Sequence, residues 1–184
     1  VRIGVIGCGG RARGHLRALV GIPEADVAAL TDINRDRIRW HKEKLPAVSA
    51  AEEFEDHREM LKSADLDAVV ICTPHTLHYT HAMDALRAGV HALIEKPMVC
   101  TAGQAREVAA EAERRGLVAL VGYQRRYHPI YRYMRQVIAS GGLGEVQFVS
   151  AMQGQNWLGH VRGKWRTDPA LSGGGQIMDS GSHL

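Results

Sequence analysis

The chain has 184 residues, of which 45% are hydrophobic and 23% charged, and its formal net charge is +3. That length suits one full domain and part of another, in an ordinary globular mixture. No apolar run approaches the ~18 residues of a membrane span, and the basic residues form no run of the kind that binds nucleic acid. Three scattered cysteines, Cys8, Cys72 and Cys100, make neither a CxxC pair nor a disulfide framework, so a reducing, cytoplasmic setting is expected. The small positive charge suits an anionic small ligand. No signal peptide is visible, but Val1 already begins a strand, so a preceding segment stays open.

The β-branched run 1–6 enters a glycine-rich turn, and a helix over 11–20 follows, closed by Gly21. Residues 25–31 form a second strand ending at Asp32, and Asn34 caps a helix that runs to Lys44. Residues 46–49 are read as a short third strand, and Ser49 to Glu52 ("SAAE") as a capping box for the next helix. "LDAVVICT" (66–73) is an apolar strand, 75–88 a helix closed by Gly89, and 90–94 another strand. "TAGQ" (101–104) is a second capping box, whose helix places Ala105, Val108, Ala109 and Ala112 on one face and ends at Gly116. The stretch 117–123 is the next strand. Apolar strands that alternate with helices indicate an α/β fold with a doubly wound parallel sheet, covered on both faces.

After Gly122 the character changes, and a domain boundary is expected there, with 1–122 as the first domain and 123–184 as the start of the second. A helix is expected from Pro129 to Ser140, and "EVQFVSAMQGQ" (145–155) alternates well enough for a strand of a different sheet. Residues 154–175 read as loop. Tyr127, Tyr131 and Tyr133 are assigned to core or interface.

The first chemistry-bearing motif is "GVIGCGGRARGH" (4–15). Gly7 permits a tight turn, Gly9 lets backbone amides approach a pyrophosphate at a helix N-terminus, and Ala12 takes the third position of the fingerprint. A second strand ends at Asp32, 25 positions after Gly7, where a carboxylate can accept hydrogen bonds from ribose hydroxyls. Asp32 favours NAD over NADP, whereas Arg11, Arg13 or Arg35 could pair with a 2′-phosphate. Ligands of such a sheet sit outside the carboxyl ends of the strands. Gly7 to Gly10, Asp32, Thr73 and Pro74, Glu95 and Lys96, and Tyr123 and Gln124 all fall on that rim. His75, His78 and His81 lie three apart, but their faces rotate away from one another and no further ligand completes a set, so no metal is expected.

Six stretches together resemble the glucose-fructose oxidoreductase, inositol dehydrogenase and rhizopine catabolism family (Gfo/Idh/MocA). They are "GVIGCGGRARGH", "CTPHTLH", "ALRAGVHALIEKP", "VGYQRRYHP", "SGGLGEV" and "GGGQIMDSGSH". The resemblance implies a Rossmann domain followed by an α+β domain with a mostly antiparallel sheet. Members usually run well over a hundred residues further, so the chain is read as a fragment of a longer enzyme, oligomeric through its second domain when complete. It also implies a cis Lys96–Pro97 peptide and an active-site role for Lys96. Asp179 and His183 are implied to share one helical face at i and i+4.

The expected cofactor-binding set is Gly7, Gly9, Gly10, Arg11, Ala12, Asp32, Thr73, Pro74, His78, Glu95, Lys96 and Gln124. The expected substrate-binding set is Lys96, Arg126, Trp165, Arg166, Asp179 and His183, with Lys96, Asp179 and His183 catalytic. The reaction implied is hydride transfer between a secondary alcohol of a sugar, inositol or polyol and NAD, or NADP. His183 would serve as acid/base and Lys96 would stabilise alkoxide charge, or Lys96 would itself be the base. Asp179 would orient the substrate or His183. A non-catalytic nucleotide sensor and an NAD-dependent glycosidase of the same fold are the alternatives.

Overall fold

The computed structural model describes residues 1–183. In chain order its elements begin β1 (Arg2–Ile6), α1 (Ala12–Val20), β2 (Asp26–Thr31), α2 (Arg35–Lys44), β3 (Glu52–Phe54) and α3 (His57–Ser63). They continue with β4 (Ala68–Ile71), α4 (His78–Arg87), β5 (His91–Ile94), α5 (Ala102–Arg115) and β6 (Ala119–Val121). After the sheet come α6 (Pro129–Ala139) and three single-turn helices, α7 (Leu158–Val161), α8 (Pro169–Ser172) and α9 (Gln176–Asp179). The six strands form one sheet in the order β3-β2-β1-β4-β5-β6. Every pairing is parallel. This is the Rossmann-type α/β sheet that the apolar strands imply, with the strand order reversing between β1 and β4.

Alternate residues of the central strands feed two cores. Ile6, Val69, Ile71 and Ile94 pack on one face with Met60, Leu86 and Val108. Val5, Leu30 and Val70 pack on the other with Leu16 and Ile38. Each fully buried Leu or Ile contributes roughly 1.5–3 kcal/mol, so α1 and α2 are held chiefly by Leu16 and Ile38, which have no exposed surface. Among the described residues no helix is long and apolar enough to cross a membrane.

Several local expectations fail for identifiable reasons. The third strand is Glu52–Phe54, and residues 46–48 make a 3-10 turn instead. Pro46 has no N–H to give a sheet ladder, and Val48 is buried among the residues under α1 and α2. Ser49 and Glu52 therefore form no capping box, because Glu52 pairs with Ala29 in the sheet. α3 starts later, capped by Asp56, which accepts from the Arg58 amide at 2.7 Å. At α5 half of the second box forms. Thr101 accepts from the Gln104 amide at 3.2 Å, but the Gln104 carbonyl oxygen takes the amide of Cys100 rather than that of Thr101. Ala109 is exposed, so the buried stripe of α5 is narrower than the periodicity suggests.

The larger departure lies beyond the sheet. Residues 145–156 form no strand, and Val146, Phe148, Val149 and Met152 are exposed. A strand needs a neighbour to take its amides and carbonyls, and no described segment offers this stretch one. The region read as loop instead holds α7, α8 and a 3-10 turn at Trp165–Thr167.

Buried histidines tie the turns together. His78 is fully buried, with its ring nitrogens 2.8 Å from the Pro97 carbonyl oxygen and 2.9 Å from that of Thr73. His75 lies 3.0 Å from the Ser172 carbonyl oxygen, and His81 lies 3.0 Å from the Thr73 hydroxyl. These contacts fix the three rings in the turns after β4 and β5.

Gly7 has φ of +89°, and a Cβ there would lie 2.8 Å from Thr73 Cγ2 and 3.0 Å from the Cys72 carbonyl carbon. Gly7→Ala is expected to destabilise the fold by about 1–3 kcal/mol, measured by urea unfolding; an unchanged midpoint would contradict the close approach of the two turns. A second expectation concerns pH. Burial pushes His75 and His81 from 6.5 down to about 4, and it lowers His78 as well. The unfolded chain then binds more protons than the folded one between those values. Stability is complete above pH ~6.5 and falls as the pH drops towards ~4. Urea midpoints at pH 7 and pH 5 test this, and an equal or higher midpoint at pH 5 would refute it.

Candidate active site at the carboxyl edge of the sheet

The turn after β1 is shaped as an open cradle. A Cβ at Gly9 or Gly10 would meet nothing within 4 Å, and no side chain caps the N-terminus of α1. Orphan amides and the positive end of the helix therefore face free space, which suits a pyrophosphate. Asp32 closes the next strand. Its carboxylate accepts from the Cys8 amide at 2.8 Å and from the Asn34 amide at 2.9 Å, so it is fixed against the glycine turn. These residues fit a dinucleotide.

His78 does not join them. Its neutral imidazole can donate to only one of the two carbonyl oxygens beside its ring nitrogens, and it sits buried between the turns after β4 and β5 rather than on the open cradle. Gln124 is exposed in a 3-10 turn after β6. The arginines divide in a way the sequence does not reveal. Arg11 donates to Glu95 at 2.5 Å, Arg13 lies over the Trp40 ring and Arg35 pairs with Glu55.

Glu95 and Lys96 end β5 and face different partners. Glu95 is buried, and its Oε1 also lies 2.7 Å from His15 Nε2. Burial opposes its ionisation, but His15 and Arg11 outweigh burial and hold the carboxyl below its ordinary pKa. Its other oxygen takes the Lys96 amide at 3.3 Å. Gly122 packs against this carboxylate, and a Cβ there would lie 3.2 Å from Oε1. The Lys96–Pro97 peptide is cis, in agreement with the resemblance.

Lys96 Nζ donates to Asp179 twice, to the carbonyl oxygen at 2.5 Å and to Oδ1 at 2.8 Å. Asp179 Oδ2 accepts from Trp157 Nε1 at 3.1 Å and from Arg166 Nε at 3.2 Å. His75 Nε2 stands 3.6 Å from Oδ1. Burial raises the Asp179 pKa, but the Lys96 hydrogen bond and charge, followed by Arg166, bring it below the ordinary value. A cavity of about 220 Å³ opens beside this cluster, lined by His75, Trp157, Val161, Arg166, Gln176 and Asp179.

Asp179 and His183 do not share one helix. α9 ends at Asp179, and His183 lies on a separate 3-10 turn beginning at Gly181, a poor helix former. The His183 ring stands edge-on to Tyr123, with centroids 6.3 Å apart. Burial and then the charges of Lys96 and Arg125 lower its pKa. Its Nδ1 is buried with no partner among the described residues. Arg166 reaches the cluster, whereas Trp165 packs edge-on against His75 at 4.7 Å. Arg126 is exposed, and the neighbouring Arg125 acts on His183 together with Lys96.

Sequence reading passes over His15 and Trp157, and weighs His75 only as a metal ligand. His75 stands next to Pro74 in "CTPHTLH", directly after a strand, so its place on the rim is a usable signal. Trp157 lies in a stretch without periodicity and carries none.

Residues 1–123 match a family model described as an oxidoreductase family with an NAD-binding Rossmann fold, and residues 131–184 match the GFO/IDH/MocA C-terminal domain. The chain is 33% identical over its whole length to 1-carboxy-3-chloro-3,4-dihydroxycyclohexa-1,5-diene dehydrogenase of Comamonas testosteroni, covering 45% of that protein. It is 29% identical to D-glucoside 3-dehydrogenase of Escherichia coli, again over its whole length and 52% of the relative. The chain thus spans about half the length of these curated relatives. A 3-ketoreductase from Actinomadura kijaniata, solved with TDP-benzene and NADP, superimposes with a TM-score of 0.80 at 30% identity, over 97% of this chain and 53% of that one. Scyllo-inositol dehydrogenase of Lactobacillus casei with NAD(H) and scyllo-inositol gives 0.72 at 30% identity, over 79% and 42%. With a nucleotide cradle in its first part and the partner of Lys96 in its second, the chain belongs to the GFO/IDH/MocA oxidoreductase family.

Proposed function

We propose that this protein is an NAD(P)-dependent oxidoreductase that transfers a hydride between nicotinamide and a secondary alcohol of a sugar, inositol or related polyol. The observation that carries the reading is the Lys96–Asp179 pair, held at the carboxyl edge of the sheet between the cradle after β1 and the adjoining cavity. The names of the relatives, a dehydrogenase of a dihydroxycyclohexadiene, a D-glucoside 3-dehydrogenase and a 3-ketoreductase, support it.

Oxidising the alcohol breaks a C–H bond, whose electron pair leaves as hydride, and an O–H bond, whose proton goes to a base. A bound nicotinamide supplies the hydride acceptor. Lys96 carries the charge that stabilises the developing alkoxide. Asp179 is a positioning residue, because it holds Nζ with both a carbonyl and a carboxylate oxygen. His183 is the base, since imidazole titrates near neutrality and its buried Nδ1 has no partner among the described residues. Gly7, Gly9, Gly10, Ala12 and Asp32 hold the cofactor, and Arg166 with Trp157 borders the substrate.

The same reading divides the chain at residue 122 and assigns 123–184 to the beginning of a second domain. Strand 145–155 would join an antiparallel sheet there once partners cover it, and the exposed apolar residues of that stretch would lie in a contact between copies of the protein. The three free thiols accord with a cytoplasmic setting.

NADH formation across a panel of sugars and polyols tests the activity. Steady release supports a dehydrogenase, glycoside cleavage without net NADH a glycosidase, and binding without turnover a sensor. Lys96→Met keeps most of the stem and removes the charge. It is expected to lower kcat/KM by ~10²–10³, comparable to losing one oxyanion donor, while dinucleotide affinity changes far less. Near-normal turnover would remove Lys96 from the chemistry.

A further inference from the structure

The proposed reaction leaves His75 without a task, although this buried residue lines the cavity beside Lys96 and Asp179. Burial keeps the ring neutral, with its pKa pushed down to about 4. One tautomer fits its surroundings. Nδ1 lies 3.0 Å from the Ser172 carbonyl oxygen, which can only accept, so Nδ1 carries the proton. Nε2 is then an acceptor, and it faces Asp179 Oδ1 at 3.6 Å. We propose that His75 sets substrate specificity: its Nε2 accepts a hydrogen bond from the hydroxyl next to the one that is oxidised, so that the protein selects vicinal diols over isolated secondary alcohols. The proposal rests on the reading of the Lys96–Asp179 cluster as the site of alcohol oxidation.

Three observations carry it. First, Nε2 and Oδ1 do not bond each other, because both are acceptors and they stand beyond hydrogen-bond length. Second, Asp179 has spare capacity on that same oxygen. Oδ2 takes two donors, Trp157 and Arg166, whereas Oδ1 takes Lys96. Two acceptor positions thus meet on one cavity wall, beside the Lys96 cation. Third, the ring is fixed. The Ser172 carbonyl holds Nδ1, and Trp165 packs edge-on at 4.7 Å, so Nε2 does not turn away to another donor. A buried acceptor left without a donor is costly, and a ligand hydroxyl supplies one. Neighbouring hydroxyls on a sugar or inositol ring lie about one hydrogen-bond length apart. One of them can meet Oδ1 and Lys96 while the next meets Nε2. A ligand with only carbon in that second place leaves Nε2 unpaired and is rejected for that reason.

The test takes the fastest substrate of the sugar and polyol panel and the analogues that lack one or other hydroxyl beside the oxidised carbon. Methyl β-D-glucoside with its 2-deoxy and 4-deoxy forms, and scyllo-inositol with a deoxyinositol, are such sets. The unsubstituted protein should favour the parent over an analogue by about 10–100-fold in kcat/KM, the fold-change of one hydrogen bond lost from a buried acceptor. His75→Asn keeps a donor for the Ser172 carbonyl near the place of Nδ1 and removes Nε2. It should lower kcat/KM for the parent by that factor, leave the disfavoured analogue close to its original value and leave NADH affinity unchanged. A merely structural role would lower parent and analogue together. Equal turnover of parent and analogues by the unsubstituted protein, an equal loss of both in the variant, or a parallel loss of NADH affinity would overturn the proposal. A ¹⁵N-histidine spectrum of the unsubstituted protein should place the His75 proton on Nδ1 at pH 7. A doubly protonated ring would overturn the proposal even if the variant fails to fold. Absence of turnover across the whole panel would overturn the oxidoreductase reading, and this proposal with it.

Discussion

The ion pair of half-buried Lys96 and buried Asp179 is the interaction on which the rest of the candidate site depends. Taking two charges out of water costs several kcal/mol per ion, and attraction offsets this only when the remaining lone pairs and protons are satisfied. Asp179 meets that condition through Lys96 on one oxygen and Trp157 with Arg166 on the other. The second part of the chain must therefore dock on the sheet for the pair to exist. His75 on the Ser172 carbonyl and Thr76 on the carbonyls of Ala170 and Leu171 supply that docking, and neither needs an apolar interface.

The adjacent charges at the end of β5 serve opposite directions. Successive side chains of a strand point to opposite faces. Just past β5, Glu95 reaches back to Arg11 at the N-cap of α1 and to His15 on that helix, while Lys96 reaches out to Asp179. One short segment thus braces the turn after β1 and carries the cation paired with Asp179. A strand end that were only solvated would bury neither charge, and here Glu95 is almost fully buried.

What could be read from the sequence follows from the range of the interactions involved. The sheet was legible because apolar strands such as "LDAVVICT" and a glycine turn at 7–10 are local signals, and the rim follows from strand direction alone. Lys96, Asp32 and Glu95 were placed in this way. Position 46–49 misled because two apolar residues flank a proline, and the proline decided. The one-helix reading of Asp179 and His183 assumed a continuity that Gly181 interrupts. Trp157 was out of reach for a different reason. Its place in the site lies in the neighbour it meets, Asp179, at a separation that no periodicity encodes. The strand expected at 145–155 shows the same limit, since a strand is a property of two segments and only one was in view.

The bonds that dock the second part all span long stretches of chain: 97 residues for His75 to Ser172, 94 for Thr76 to Ala170 and 83 for Lys96 to Asp179. Closing a loop of that size costs about 4 kcal/mol of chain entropy. Whichever bond forms first bears that cost, and the others then close at high effective concentration. None of the three is strong enough alone to hold the segment, since a single hydrogen bond nets only about 1 kcal/mol. The segment from 165 to 183 consequently docks or releases as one unit. Lys96 is aimed at Asp179 only while that segment is docked.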